Sequence, residues 1–193
     1  MFPDNPAITL YDPLGAVLGA GDGHFTYTFT DAVKLAGHAC PTVAGAFLVA
    51  KTALERLFPG ETPVRGDVGI TLPGPVDQGV NGPISQIFTL LTGAAARNGF
   101  QGLAGQFVRC QLLHFRESAS PGPFLFERLS TGQTVQLLYS AQAIPVPAAV
   151  TDYMSLVLSG RASDTEREQF RQAWRQRVLD ILADQGVHTV RQL

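Results

Sequence analysis

The segment Gly37-His38-Ala39-Cys40-Pro41 places an imidazole and a thiol two residues apart. On a helix that spacing would turn the two side chains to nearly opposite sides. In the extended backbone that a residue before proline prefers, side chains at i and i+2 project the same way and would converge on one point. Pro41 suits the first position of a helix, because its missing N–H would be unpaired there in any case. Cys40 then stands at that helix's N-terminus, where free N–H groups and the helix dipole favour a thiolate. A thiolate so placed serves either as a nucleophile, with the imidazole as its base, or as a soft ligand for Zn²⁺, and the spacing fits both. The plain alternative is a cysteine that is only a small apolar residue beside an Ala/Val-rich helix.

The elements around this pair follow from local pattern. Thr30 is a candidate cap for a short helix over 31–36, with Asp31 at the positive end of its dipole and Gly37 as a left-handed stop. Val43, Phe47, Ala50, Leu54 and Leu57 recur at steps of four and three, which predicts a helix from Pro41 to about Phe58. Alternating Val68, Ile70 and Leu72 predict a strand. Ile84, Ile87, Phe88 and Leu91 share a helical face, capped by Asn81 or Gly82 and ended near Gly93. Three strand-like runs follow (106–116, 124–129 and 134–139), and the breaks at Pro121-Gly122-Pro123 and Thr131-Gly132 suit an antiparallel meander. Beyond Pro145 and Pro147 the pattern turns helical. A short helix over 151–158 precedes a longer one opened by the Ser163-x-x-Glu166 capping box, with Phe170, Trp174, Val178 and Ile181 on its stripe. The expected fold is α+β: a mixed sheet with helices packed on one side over residues 1–145, and a C-terminal helical extension, 146–193, packed on it.

Composition narrows the classes. Of 193 residues 45% are apolar and 16% charged, against roughly a quarter charged in an average soluble domain. That excludes a disordered chain and hints at surface covered by another copy or partner. The formal charge of −2 and the lack of a Lys/Arg run leave no electrostatic footprint for nucleic acid or an anionic membrane. Met1–Leu10 has no basic region followed by an apolar core, and apolar runs are broken short of membrane-spanning length. Two cysteines make no disulfide framework, so the reducing cytoplasm is the expected compartment.

The segment from Gly37 to Ala46 resembles the G-H-x-C-P signature of the FmdE-like family of formylmethanofuran dehydrogenase components. Ile87-Phe88-Thr89-Leu90-Leu91-Thr92-Gly93 is similar to that family's apolar helix ending in Thr-Gly, and Asn98–Leu103 stands where members carry a glycine-rich turn. The likeness covers about residues 30–140. It implies a helix–strand–helix–three-strand domain, usually a homodimer, with a bound metal ion, most often taken as zinc, and His38 and Cys40 as matched ligands. The chain departs from the pattern at Ala36, where members commonly carry a further histidine, in the cysteine-free 80–83 loop, and in a tail without a Cys-rich zinc ribbon.

Zinc takes three protein ligands and an open position, or four in a closed site. The best third candidate is His24, flanked by Gly21, Gly23 and alternating aromatics, if a strand there returns it to the His38 loop. Asp77 reads first as a solvated turn residue. Cys110 and His114 are too far apart along one strand, ~13 Å, to share an ion, so Cys110 is assigned to the core and His114 ranks below His24. His188 reads as exposed, and the connector 98–105 as a structural turn, because no helix N-terminus follows it to hold an anion. The leading expectation is a small zinc-binding protein, with nickel, iron or copper also compatible with N/S ligands, acting on a small-molecule substrate or carrying its ion. The alternatives are a metal-free cysteine-nucleophile enzyme and an accessory component of a redox enzyme.

Overall fold

The computed structural model describes Phe2, residues 6–117 and residues 122–193; Met1, 3–5 and 118–121 lie outside them, including Pro121 of the expected break. The chain forms β1 (Ala7–Tyr11), α1 (Pro13–Val17), β2 (His24–Thr28), α2 (Phe29–Ala36), α3 (Pro41–Leu57), β3 (Val68–Leu72), α4 (Asn81–Thr92), β4 (Leu113–Phe115), β5 (Phe124–Arg128), β6 (Gln133–Tyr139), α5 (Ala148–Leu158), α6 (Asp164–Asp184) and β7 (Val190–Gln192). This is the expected α+β architecture with a C-terminal helical pair.

The main sheet has five strands in the order β4-β3-β5-β6-β7, and β1 and β2 form a separate antiparallel pair. Period-two alternation sends Val68, Ile70 and Leu72 of β3, Phe124 and Phe126 of β5, and Val135 and Leu137 of β6 into the core. Against that face lies α3, which also touches α2, α4 and α6. Being surrounded, α3 buries residues all round rather than on one stripe, from Val43 through Ala50 without a break. Phe88 of α4 packs edge-on to Phe124 and Phe126, with ring centroids 5.4 and 5.1 Å away.

Two expectations need correction. Instead of a meander through 106–139, β4 pairs with β3 in parallel, Thr71 opposite His114, and only β5 and β6 continue antiparallel. The run 106–116 also shrinks to three strand residues. Ala104, Phe107 and Gln111 all hold positive φ, a region that interrupts extended chain. The amides of Gln111, Leu112 and Leu113 are spent on the carbonyls of Ala96 and Ala95, so they serve the loop after α4. At the other end, the 146–193 segment does more than add helices, of which α6 packs against α3: β7 extends the main sheet, with Leu138 opposite Arg191.

Candidate functional site

Helix α2 opens where the Asp31 carboxylate accepts from the Thr28 backbone N–H at 2.9 Å and from the Thr28 hydroxyl at 3.0 Å. The cap is therefore Thr28 rather than Thr30. Gly37 stops the helix at φ 74°, where a side chain would be strained. The next residues form the linker to α3. Cys40 is extended (φ −149°, ψ 167°) and is the N-cap of α3, its Sγ accepting from the Val43 N–H at 3.5 Å, with Pro41 at the first helical position. The His38 Nδ1–H donates to the Ala36 carbonyl at 2.9 Å. Because a carbonyl only accepts, this bond selects the tautomer that leaves Nε2 with a free lone pair.

The linker is held from the far side of the fold. The Trp174 indole N–H on α6 donates to the Ala39 carbonyl at 2.8 Å, and the Tyr139 hydroxyl at the end of β6 donates to the Pro41 carbonyl at 2.7 Å. The carbonyls on either side of Cys40 are thus each fixed by an aromatic side chain from another element. Burial raises the Tyr139 phenol well above its ordinary range, with Arg177 opposing the rise and Cys40 adding to it, so the hydroxyl keeps its proton and remains a donor. Gly45 permits the approach, since a Cβ there would fall 2.2 Å from the Tyr139 ring. Phe170 stacks on Trp174 at 5.8 Å between centroids, which makes this part of the expected stripe a clamp on the linker.

His38 and Cys40 line one cavity of about 310 Å³ between the end of α2, the start of α3 and the first turns of α4, where Val80, Pro83 and Ile87 form an apolar wall. Thr42 and Gln86 supply its other polar groups. The two residues singled out by spacing therefore line the same cavity.

His24 does not join them in that cavity. It sits on β2 opposite Tyr11, its ring 5.2 Å from the tyrosine ring, with Nδ1 3.4 Å from an Asp22 carboxylate oxygen. The expected strand exists, but it pairs with β1. Asp77 is exposed in the turn after β3, and His188 is exposed near the C-terminus. Cys110 is buried, its thiol donating to Gln101 at 3.3 Å, while exposed His114 borders a separate 90 Å³ hollow with Glu127 and Thr71. Among the described residues, no group of three His, Cys, Asp or Glu side chains is placed to hold a metal ion.

One charged cluster escapes sequence reasoning. Asp12 caps α1 and also bridges two arginines, Arg65 Nε at 2.9 Å and Arg109 Nη2 at 2.8 Å. Arg65 Nη1 goes on to the Tyr27 hydroxyl at 2.6 Å and to the carbonyls of Leu90 (2.6 Å) and Leu91 (2.7 Å) in the last turn of α4, so a cation satisfies that helix end. Burial pushes the Arg109 pKa below its ordinary value, opposed by Asp12, and its Nη1 finds no hydrogen-bond partner among the described residues. The Asp12-Pro13 pair carries a helix-start signal, but nothing local marks partners 53 and 97 positions away.

The fold and this site define an α+β protein with a histidine–cysteine cavity between helix ends. Compared with known proteins, the chain matches no family model and no curated sequence. No helix among the described residues is long and apolar enough to cross a membrane.

Proposed function

We propose that this protein binds a transition-metal ion, zinc first and nickel or iron as alternatives, through His38 Nε2 and Cys40 Sγ, as a protein of the FmdE-like type. The observation that carries the reading is the shared cavity: both side chains line it, and the Ala36 carbonyl occupies Nδ1 so that Nε2 is the free donor. An imidazole and a thiolate are the donor types zinc prefers. The fit is partial, because two protein donors leave two of zinc's four positions to water, substrate or a residue of a second copy. A homodimer is part of the proposal. Low overall charge favours it. Two free thiols suit a reducing compartment, and we take the cytoplasm as the location.

With an open position, such an ion acts as a Lewis acid toward a small substrate. The chain's own contribution is orientation. Ala36 fixes the His38 ring, Trp174 and Tyr139 fix the backbone on both sides of Cys40, and the wall of α4 excludes water from one side. A second reading is a metal-free thiol enzyme, favoured by a Cys40 thiol that shares its cavity with His38, whose Nε2 is free to act as the base. Elemental analysis of protein purified without chelator separates the two. The proposal expects metal in the wild type and loss of it in both Cys40→Ser and His38→Ala. A metal-free wild type whose Cys40 is rapidly alkylated near neutral pH would establish the second reading instead.

A further inference from the structure

A second hollow, of about 520 Å³, adjoins the His38–Cys40 cavity and shares Leu35 and Gln86 with it. It runs along the outer side of α4, past Ser85 and Thr89, to the edge strand β4, where Leu113 and Phe115 form its far wall with Asn98 beside them. Among the described residues no Lys, Arg, Asp or Glu lines either space. The Ser85 hydroxyl is spent on the Gly82 carbonyl. The Gln86 amide, at the joint of the two hollows, has no hydrogen-bond partner among the described residues.

From this continuity we infer that the two hollows form one substrate channel. It takes an uncharged, elongated molecule whose reacting end lies at His38 and Cys40, whose hydrogen-bonding group meets Gln86, and whose apolar tail lies in the groove between α4 and β4. The absence of charge in the lining decides the class. A phosphate or carboxylate drawn into these walls would lose its hydration and gain no counter-ion, while an apolar tail gains by leaving water. Pockets of this combined size and lining are those that hold small organic ligands. The inference rests on the proposed site only in putting the reacting end at Cys40.

N-alkylmaleimides test it, because they react at the thiol and carry a tail of chosen length and charge. Labelling of Cys40 in chelator-treated full-length protein is followed by mass mapping, which separates it from Cys110, with rates taken relative to glutathione. Each methylene that the groove withdraws from water is worth about fourfold, so N-butylmaleimide should outpace N-methylmaleimide by roughly tenfold or more. A maleimidohexanoate, with a carboxylate at the tail, should show no such gain. Thr89→Trp, which fills the groove, should abolish the chain-length effect, so that butyl and methyl rates become equal. Asn98→Trp provides the same block from a loop position should Thr89→Trp fail to fold. Equal butyl and methyl rates in the wild type, or a carboxylate tail that accelerates as butyl does, overturns the inference. A chain-length effect in a protein that binds no metal would leave the channel standing and remove the metal reading alone.

Discussion

Two polar constellations stand about one helix, α4, and they differ in what they leave unspent. At its C-terminal end the Asp12–Arg65–Arg109 cluster is largely buried and knitted inward: both Asp12 oxygens are taken by arginines and two α4 carbonyls by Arg65, with Arg109 Nη1 left without a partner among the described residues. At its N-terminal end the His38–Cys40 linker is bound through its backbone and through one ring nitrogen, while the two residues line a cavity. The first arrangement stabilises; the second is fixed in place and chemically open. Conspicuous charge marks the scaffold here, and the cavity that holds the imidazole and the thiol is lined by no Lys, Arg, Asp or Glu among the described residues.

The largest effect should come from removing the hub of the charged cluster. Asp12→Ala leaves the buried Arg109 guanidinium without its counter-ion, while half-buried Arg65 keeps Tyr27 and the α4 carbonyls, and should cost about 3 kcal/mol, read by urea unfolding. His38→Ala, at an exposed side chain, should stay within about 0.5 kcal/mol of wild type. Equal small losses in both variants would erase the distinction between scaffold and site. Next in size, Gly45→Ala drives a methyl into the Tyr139 ring and should cost about 1–3 kcal/mol, with faster Cys40 alkylation as the linker is released; an unchanged melting temperature would mean that the ring is not closely packed there.

Trp174→Phe keeps the stack on Phe170 but deletes the donor to Ala39, which should cost about 1 kcal/mol. If His38 and Cys40 hold an ion as proposed, the substitution should also weaken metal retention, a change that simple loss of stability would not produce at temperatures far below melting. The smallest effect is electrostatic. The Thr28 backbone N–H holds the Asp31 carboxyl below its ordinary 3.8, with burial opposing. A folded value below the unfolded one means that Asp31 stabilises fully above about pH 3.8 and loses this contribution as the pH falls through the lower folded value. The deficit of Asp31→Ala, about 1 kcal/mol at most, should therefore be constant near neutrality and fade only below about pH 3.8. A deficit that already fades between pH 5 and 6 would contradict the assigned cap.

What the sequence made legible was local. Gly37, Pro41, Gly93 and the Ser163–Glu166 box act within a few residues of themselves, and the helices they bound are present, as is the alternation of β3. Of the candidate pair, the extended N-cap geometry of Cys40 ahead of Pro41 was legible for the same reason, since a proline constrains the residue before it. Long-range pairing was not. The parallel seat of β4 depends on Gln111 adopting a positive φ and on its neighbours' amides serving Ala95 and Ala96. No periodicity announces that. The same limit hid the grip of Trp174 on Ala39, 135 positions apart, and left His24 on a strand whose partner is β1 instead of the His38 loop.

The central claim is that the His38 and Cys40 donors meet one ion, and cobalt substitution tests it most directly. Full-length protein stripped with chelator and titrated with Co²⁺ should develop a sulfur-to-cobalt charge-transfer band in the near ultraviolet. The band should be absent in Cys40→Ser and displaced or weakened in His38→Ala. A wild type that shows no such band, or a Cys40→Ser variant that shows it undiminished, would contradict the assignment.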